Sequence, residues 1–116
     1  MFKYHQIAFD VIFLLSYLKM SGAFGEQEIS MEHREIMTAN HANICARLNL
    51  EGTPELKIVK VFEQVVAGKF FWFHLVGAEG GNEFSVCIFQ GLGAGSENLE
   101  ISIAEPGHTE PRNPNS

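Results

Sequence analysis

The chain has 116 residues and a net charge of −6, a size that suits one small domain with a single core. Hydrophobic residues make up 46 % and charged residues 19 % of the chain, which is typical of a globular protein rather than a disordered one. The few basic residues are scattered and form no positive stripe, so the composition disfavours nucleic-acid binding.

The first 19 residues form an apolar N-terminal extension that has two competing interpretations. Its apolar stretch, residues 7–18, is shorter than the roughly 20 residues of a membrane-spanning helix, so we expect no stable membrane span. Lys3 before the stretch and Ser21-Gly22-Ala23 after it fit a cleaved secretory signal, although Asp10 interrupts the apolar run. Alternatively, Met20 is the true start and residues 1–19 are an upstream extension.

A helix is predicted after a glycine-containing, flexible arm at residues 21–28. Ser30 is the expected N-cap, and apolar residues recur at helical spacing as far as about Leu48. His33 and His41 lie eight positions apart within this helix (41 − 33 = 8). Because no third ligand accompanies them, they are interpreted as capping or solvated residues, and no metal site or cofactor is expected.

After residue 54 the hydrophobic period changes to two, which predicts consecutive β-strands at residues 56–63, 69–76, 84–89 and 99–103. In the first of these strands, Val59 and Val61 are expected on one face. The second strand is strongly aromatic, and its side chains are expected to alternate between the two faces of the sheet. One face is expected to carry Phe71, Phe73 and Leu75, and the other Phe70, Trp72 and His74.

Short glycine-rich turns between the strands imply an antiparallel arrangement. Burying the apolar face of the helix on the apolar face of the sheet then gives an α+β fold, with one helix packed across a four- to five-stranded antiparallel sheet. This domain is expected to span residues 20–104. Residues 105–116 hold three prolines and no apolar run, and are predicted to be a disordered tail.

The segment Gln64-Val65-Val66-Ala67-Gly68 joins the first two predicted strands. Hairpin tips are usually polar, and exposed apolar residues there are costly unless a partner buries them, which indicates a binding loop. The alternative is one long buried strand that ends at Gly68. The pattern of residues alone supports both interpretations about equally.

The run Glu63-Gln64-Val65-Val66-Ala67-Gly68 resembles the signature of the cystatin superfamily, and residues 20–103 resemble its stefins, or type 1 cystatins. The similarity includes the helix upstream, the strands on either side, and the segment from Val86 to Leu92. Gly22 lies 64 − 22 = 42 residues before Gln64, which is where stefins carry an N-terminal glycine.

The resemblance implies a cystatin-like fold and a reversible, tight-binding inhibitor of papain-like cysteine proteases, of the cathepsin L, H or B type, rather than an enzyme. It implies that three segments fill the protease cleft: the arm at Gly22, the first loop from Gln64 to Gly68, and a second loop at Leu92 and Gly93. Stefins often carry proline in the second loop, whereas glycine and alanine follow Leu92 here. We therefore expect this loop to be flexible and its contact to be weak.

Two alternative functions fit the sequence less well. A Cys–His enzyme is disfavoured because Cys45 and Cys87 have no plausible base beside them in sequence. They are interpreted as buried reduced thiols, which predicts a cytoplasmic protein, or a secreted one if residues 1–23 are a cleaved signal. The main alternative function is a cystatin-fold interaction module without inhibition. The expected state is a monomer that can form a domain-swapped dimer.

Overall fold

The computed structural model describes residues 23–114, so the predicted extension at 1–19 and the predicted arm residue Gly22 lie outside the described residues. The elements in chain order are β1 (Gly25–Gln27), α1 (Met31–Arg47), β2 (Leu56–Val66), β3 (Gly68–Gly77), β4 (Glu83–Gln90) and β5 (Glu100–Pro106). The strands form one antiparallel sheet in the order β1-β2-β3-β4-β5, and α1 packs across one face of it. The predicted fold class is confirmed.

The start of α1 is set by a reciprocal capping box. The Ser30 hydroxyl accepts a hydrogen bond from the backbone N–H of His33 at 3.4 Å, and the Ser30 N–H donates to Nδ1 of His33 at 3.0 Å. Two backbone N–H groups at the helix start therefore have partners. The predicted N-cap is confirmed. Of the two interpretations of His33, capping or solvated, the structure supports capping.

The main core lies between α1 and the sheet face that it covers, called here the inner face. Ile36, Met37 and Ile44 of the helix meet a layer of strand side chains. Full burial of each large apolar side chain stabilises the fold by about 1.5–3 kcal/mol. The strand residues of this layer are Val61, Phe71, Phe73, Leu75, Phe84, Val86, Ile88 and Ile101.

One expectation for β2 is wrong. The β2–β3 register shifts between Ile58 and Lys60, so Val59 is left out of the pairing and is 43 % exposed. Ile58, rather than Val59, packs against the main core beside Val61. A β-bulge adds one residue to one strand and thereby inverts the alternation on its far side, which hydrophobic period alone does not reveal.

The opposite, outer face of the sheet carries a second apolar cluster, centred on Phe70, Trp72 and Cys87. Phe24, just before β1, packs edge-on against Trp72 with their ring centroids 6.1 Å apart. The arm was expected to be flexible, but it contains the short strand Gly25–Gln27, which pairs with β2. The side chains of β3 divide between the two faces as the aromatic alternation predicted, and both faces are buried.

The expected disorder from residue 105 onward differs from the structure over residues 105–114. β5 extends to Pro106, and the following residues fold back over the outer cluster. Arg112 makes two hydrogen bonds to Glu105, at 2.9 and 3.0 Å, and its guanidinium lies 5.5 Å from the centroid of the Trp72 ring. The hydrogen bonds from Arg112 lower the pKa of the Glu105 carboxyl. An ion pair and an aromatic face thus help to hold a tail of polar composition on the sheet.

Cys45 and Cys87 are both free and buried, as interpreted from the sequence. Burial raises the pKa of the Cys87 thiol to about 12, although the nearby charge of Arg112 acts in the opposite direction. Within residues 23–114, no helix has the length and apolar character needed to cross a membrane.

Candidate functional site

The predicted first loop is mostly strand. β2 continues to Val66, which pairs directly with Gly68, the first residue of β3. Ala67 is therefore the turn, while Gln64, Val65 and Val66 belong to the β2 ladder. The two interpretations left open by the sequence each hold in part, because the segment is a strand almost to its end and the end is a tight hairpin. Backbone pairing up to the last residue makes the tip rigid.

Alternation along β2 divides the motif between the two faces of the sheet. Val65 lies on the inner side, opposite Lys69, whereas Gln64 and Val66 lie on the outer side, where Val66 packs against the outer cluster. Gln64 is completely buried and the two valines are half-buried. Of the five motif residues, only Ala67 is exposed, so the apolar surface at the tip is smaller than the sequence implied.

Gly68 is required by a close approach between two strands. Its φ is +116°, a region that residues with side chains rarely adopt. A Cβ atom at this position would lie 2.5 Å from the carbonyl oxygen of Gln90, 3.0 Å from the Phe89 ring and 3.1 Å from Cα of Gly91. The hairpin tip therefore rests directly on the end of β4, where the second loop begins.

The second loop, residues 91–99, is braced at its start by Gln90. The side-chain amide of Gln90 donates to the carbonyl oxygens of Ala94, at 3.2 Å, and Gly95, at 2.9 Å. The N–H of Ala94 also donates to the carbonyl of Gly91 at 3.1 Å, which closes a turn around Leu92 and Gly93. These bonds restrict a loop that its glycine content predicted to be flexible.

Asn40 braces the far end of the same loop from the helix. It is fully buried, and its Nδ2 donates to the carbonyls of Ile36, at 2.8 Å, and Ser96, at 2.7 Å. Its Oδ1 accepts from the N–H of Leu99 at 3.1 Å. Sequence reasoning missed this role because the partners are 56 and 59 residues away. The available signal was a polar residue on the apolar face of a predicted helix.

The two loops meet at one end of the molecule. A groove of about 370 Å³ is lined by residues of the first hairpin and by residues 90–94. Leu92 projects from the second loop with 82 % of its surface exposed, and Gly93 has a φ of +78°. Strand β1, near the start of the described residues, lies at the same end of the molecule, since Gly25 pairs with Glu63, the residue before Gln64.

A charged network fixes the hairpin to the start of the helix. Nε2 of His33 lies 2.6 Å from Oε2 of Glu63, and Nζ of Lys69 lies 3.5 Å from Oε1 of the same carboxylate. Because Nδ1 of His33 accepts from Ser30, Nε2 carries the proton and donates to Glu63. Helix α1 is thereby linked to both strands of the hairpin. Sequence analysis placed no role on Glu63 beyond the motif, although its inward position in β2 was a usable signal.

No family model and no curated protein matches the chain. Among solved structures, the fold is similar to that of a secreted type 1 cystatin from Fasciola hepatica, with a TM-score of 0.59 and 17 % sequence identity. The matched region covers 73 % of this chain and 95 % of the other. The resemblance to cystatins noted in the sequence is therefore shown at the level of the fold: one helix on a five-stranded antiparallel sheet.

Proposed function

We propose that this protein is a reversible, tight-binding inhibitor of papain-like cysteine proteases of the cathepsin L, H or B type. It blocks the active-site cleft with an arm around Gly22, the hairpin from Gln64 to Gly68, and the loop at Leu92 and Gly93. The observation that carries the proposal is the convergence of the hairpin tip and the Leu92 loop at one end of a cystatin fold.

Rigidity of the two loops supports tight binding. The hairpin is paired to its last residue, and the second loop is held by Gln90 and Asn40. Loops that are already ordered lose little conformational entropy when a partner buries them. A protease–inhibitor interface of standard size, about 1,600 Å², binds very tightly when it is preorganised in this way.

The proposed inhibition is non-covalent and the protein is not an enzyme. Both thiols are buried, and burial raises the pKa of each, so neither offers the thiolate that a nucleophile needs. Within residues 23–114, neither cysteine is hydrogen-bonded to a histidine. Activity is blocked because the cleft is occupied, not because a bond forms.

The test is a titration of papain, on a fluorogenic substrate, with purified protein that begins at Met20. Reversible and near-stoichiometric loss of protease activity is expected. Leu92→Ala should weaken inhibition by about tenfold, since a large exposed side chain that becomes buried contributes about 1.5–3 kcal/mol at most. Val59→Ala, which shortens another exposed apolar side chain on the β2 bulge, is the matched control and should inhibit normally.

Two results of this titration would contradict the proposal or part of it. If the wild-type protein gives a folded circular dichroism spectrum but no inhibition at micromolar concentration, the inhibitor proposal is wrong. The alternative, a cystatin-fold interaction module, would then stand in its place. If Leu92→Ala and Val59→Ala inhibit equally well, the second loop is not a contact.

The compartment is also part of the proposal. The cystatin of similar structure is a secreted protein, which supports keeping the secreted alternative beside the predicted cytoplasmic one. A signal peptidase cut after Ala23 would remove Gly22 and leave Gly25 near the new N-terminus. Mass spectrometry of the mature protein distinguishes the two cases, because an N-terminus at Phe24 rules out any contact from Gly22.

A further inference from the structure

A group of metal-ligating side chains lies on the outer face of the sheet, away from both loops. We propose that His74, Glu83 and His108 bind a divalent transition-metal cation of the Zn²⁺ type. One ligand atom from each of these residues lies within 4.8 Å of the other two. His74 is six residues along β3 from the hairpin end at Gly68, about 20 Å at the usual rise of a strand, so the proposed site is separate from the inhibitory end.

His74 is the fixed member of the group. It projects from the middle of the outer face and is only 5 % exposed. Its Nε2 lies 3.1 Å from Oε1 of Glu83, while its Nδ1 is buried and has no hydrogen-bond partner among residues 23–114. Nε2 is therefore the nitrogen that faces Glu83 and would ligate the cation, while Nδ1 would keep the ring proton.

The backbone of His108 is held over His74 by hydrogen bonds on both sides. The N–H of Gly107 donates to the Glu83 carbonyl at 2.7 Å, and the Ser85 hydroxyl donates to the Gly107 carbonyl at 2.9 Å. The N–H of Thr109 in turn donates to the Ser85 oxygen at 3.1 Å. The exposed side chain of His108 lies on the His74 ring, with 3.9 Å between ring centroids.

The donor set suits zinc. Two imidazoles and one carboxylate are a known set of three protein ligands for Zn²⁺, with water completing the coordination. With metal–ligand bonds of about 2.0–2.1 Å, two ligands of a tetrahedral ion lie about 3.3 Å apart. The 3.1 Å between His74 and Glu83 already matches this spacing. Glu83 is half exposed and His108 exposed, so both side chains can adjust to an ion.

Charge supports a cation here, since the whole chain carries a net charge of −6. Lys60 pairs with His74 across β2 and β3, but it is exposed and its flexible chain can extend into solvent. Within the part of the chain that the structure describes, the Glu83 carboxylate is hydrogen-bonded to His74 and forms no ion pair with a lysine or arginine. No resident cation therefore has to be displaced from the carboxylate.

A second group, Glu32, His33 and Glu63, is less suited to a cation. Both nitrogens of His33 are engaged, by Ser30 and by Glu63. Lys69 lies 3.5 Å from Glu63 and 3.8 Å from Glu32, and so already balances the two carboxylates. A metal ion would have to break the helix cap and the link to the hairpin, so the cation is assigned to His74, Glu83 and His108.

Binding at this site would clamp the tail to the sheet, because His108 belongs to the tail and the other two ligands belong to β3 and β4. The test is isothermal titration of the full chain with ZnCl₂. We expect one equivalent of Zn²⁺ to bind, with His108→Ala and Glu83→Gln each weakening binding by at least about tenfold. His41→Ala, which removes a histidine outside the group, is the matched control and should bind normally.

A second readout follows the tail itself. Trypsin cleavage after the exposed Arg112, measured by mass spectrometry, should slow several-fold when Zn²⁺ is added to the wild type but not to His108→Ala. Circular dichroism of the variants checks that they are folded. Absence of binding by the wild type, or undiminished binding by a folded His108→Ala, would overturn the proposal. Neither result bears on papain inhibition, which is measured with chelator present.

Discussion

At the residue scale, Gly68 links the two loops because it has no side chain. Its Cα lies so close to the Gln90 carbonyl that a methyl group would overlap it at 2.5 Å, and its φ of +116° is itself unfavourable for other residues. A strained backbone of this kind costs about 1–3 kcal/mol. The glycine of the motif therefore supports the junction of the hairpin with β4 as well as the turn.

We predict that Gly68→Ala lowers the free energy of unfolding by about 2 kcal/mol or more and weakens papain inhibition, because the hairpin tip must move off β4. Urea unfolding and papain titration measure the two effects. Gly80→Ala is the matched control: this exposed turn glycine has no positive φ, and the nearest atom to an added Cβ is the Asn82 amide nitrogen at 3.6 Å. A Gly68→Ala protein as stable as Gly80→Ala would contradict the close approach.

At the element scale, helix α1 positions both loops. Its first turn is joined to the hairpin through His33 and Glu63, and Asn40 on its buried face holds the end of the second loop. The helix therefore acts as a common support. Movement of one loop relative to the other would break buried hydrogen bonds, which are costly to leave unmade.

Asn40→Ala should destabilise the protein by about 1–3 kcal/mol, since the Leu99 N–H and the Ser96 carbonyl lose their partner. Asn43→Ala, on the exposed side of the same helix, should change stability by less than about 0.5 kcal/mol. Thermal or urea unfolding of both variants measures the difference. Hydrogen exchange at the Leu99 amide should also become faster only in Asn40→Ala, and equal exchange in both would show that Asn40 does not hold the loop.

At the scale of the whole molecule, the charge network, the two loops and the entry of β1 share one end, whereas the proposed cation site and the tail turn at Gly107 lie toward the other. From Gly107 the tail runs back over the outer face, and Asn113 lines a cavity with Val66 and Ala67 near the hairpin tip. Since Gly25 pairs with Glu63 beside the first loop, the start of the described chain lies near the end that is proposed to inhibit.

For this reason, the form that starts at Met20 is expected to inhibit papain better than the full chain, in which 19 further residues precede the arm. A specific protease site inserted between Lys19 and Met20 allows the same preparation to be assayed before and after cleavage. Inhibition should increase on cleavage, while a version whose inserted site cannot be cut serves as the control. Equal inhibition before and after cleavage would mean that the extension does not obstruct the arm.

Sequence reasoning predicted the features that are encoded by neighbouring residues. Ser30 was recognisable as an N-cap, and the alternation of Phe71, Phe73 and Leu75 placed the inner face of β3 correctly. The hexapeptide from Glu63 to Gly68 indicated a cystatin-like hairpin between two strands. Each of these depends on a period or cap within a few residues, so local chemistry is sufficient to predict it.

Tertiary structure decided the features that depend on partners far apart in the chain. The bulge at Val59, the bracing of the second loop by Asn40, and the path of residues 107–114 over Trp72 follow from strand register and from which faces meet. The same is true of the group formed by His74, Glu83 and His108. A sequence determines which side chains are available and their local geometry, but long-range contacts form only when all elements pack together, since register and burial are properties of the whole fold.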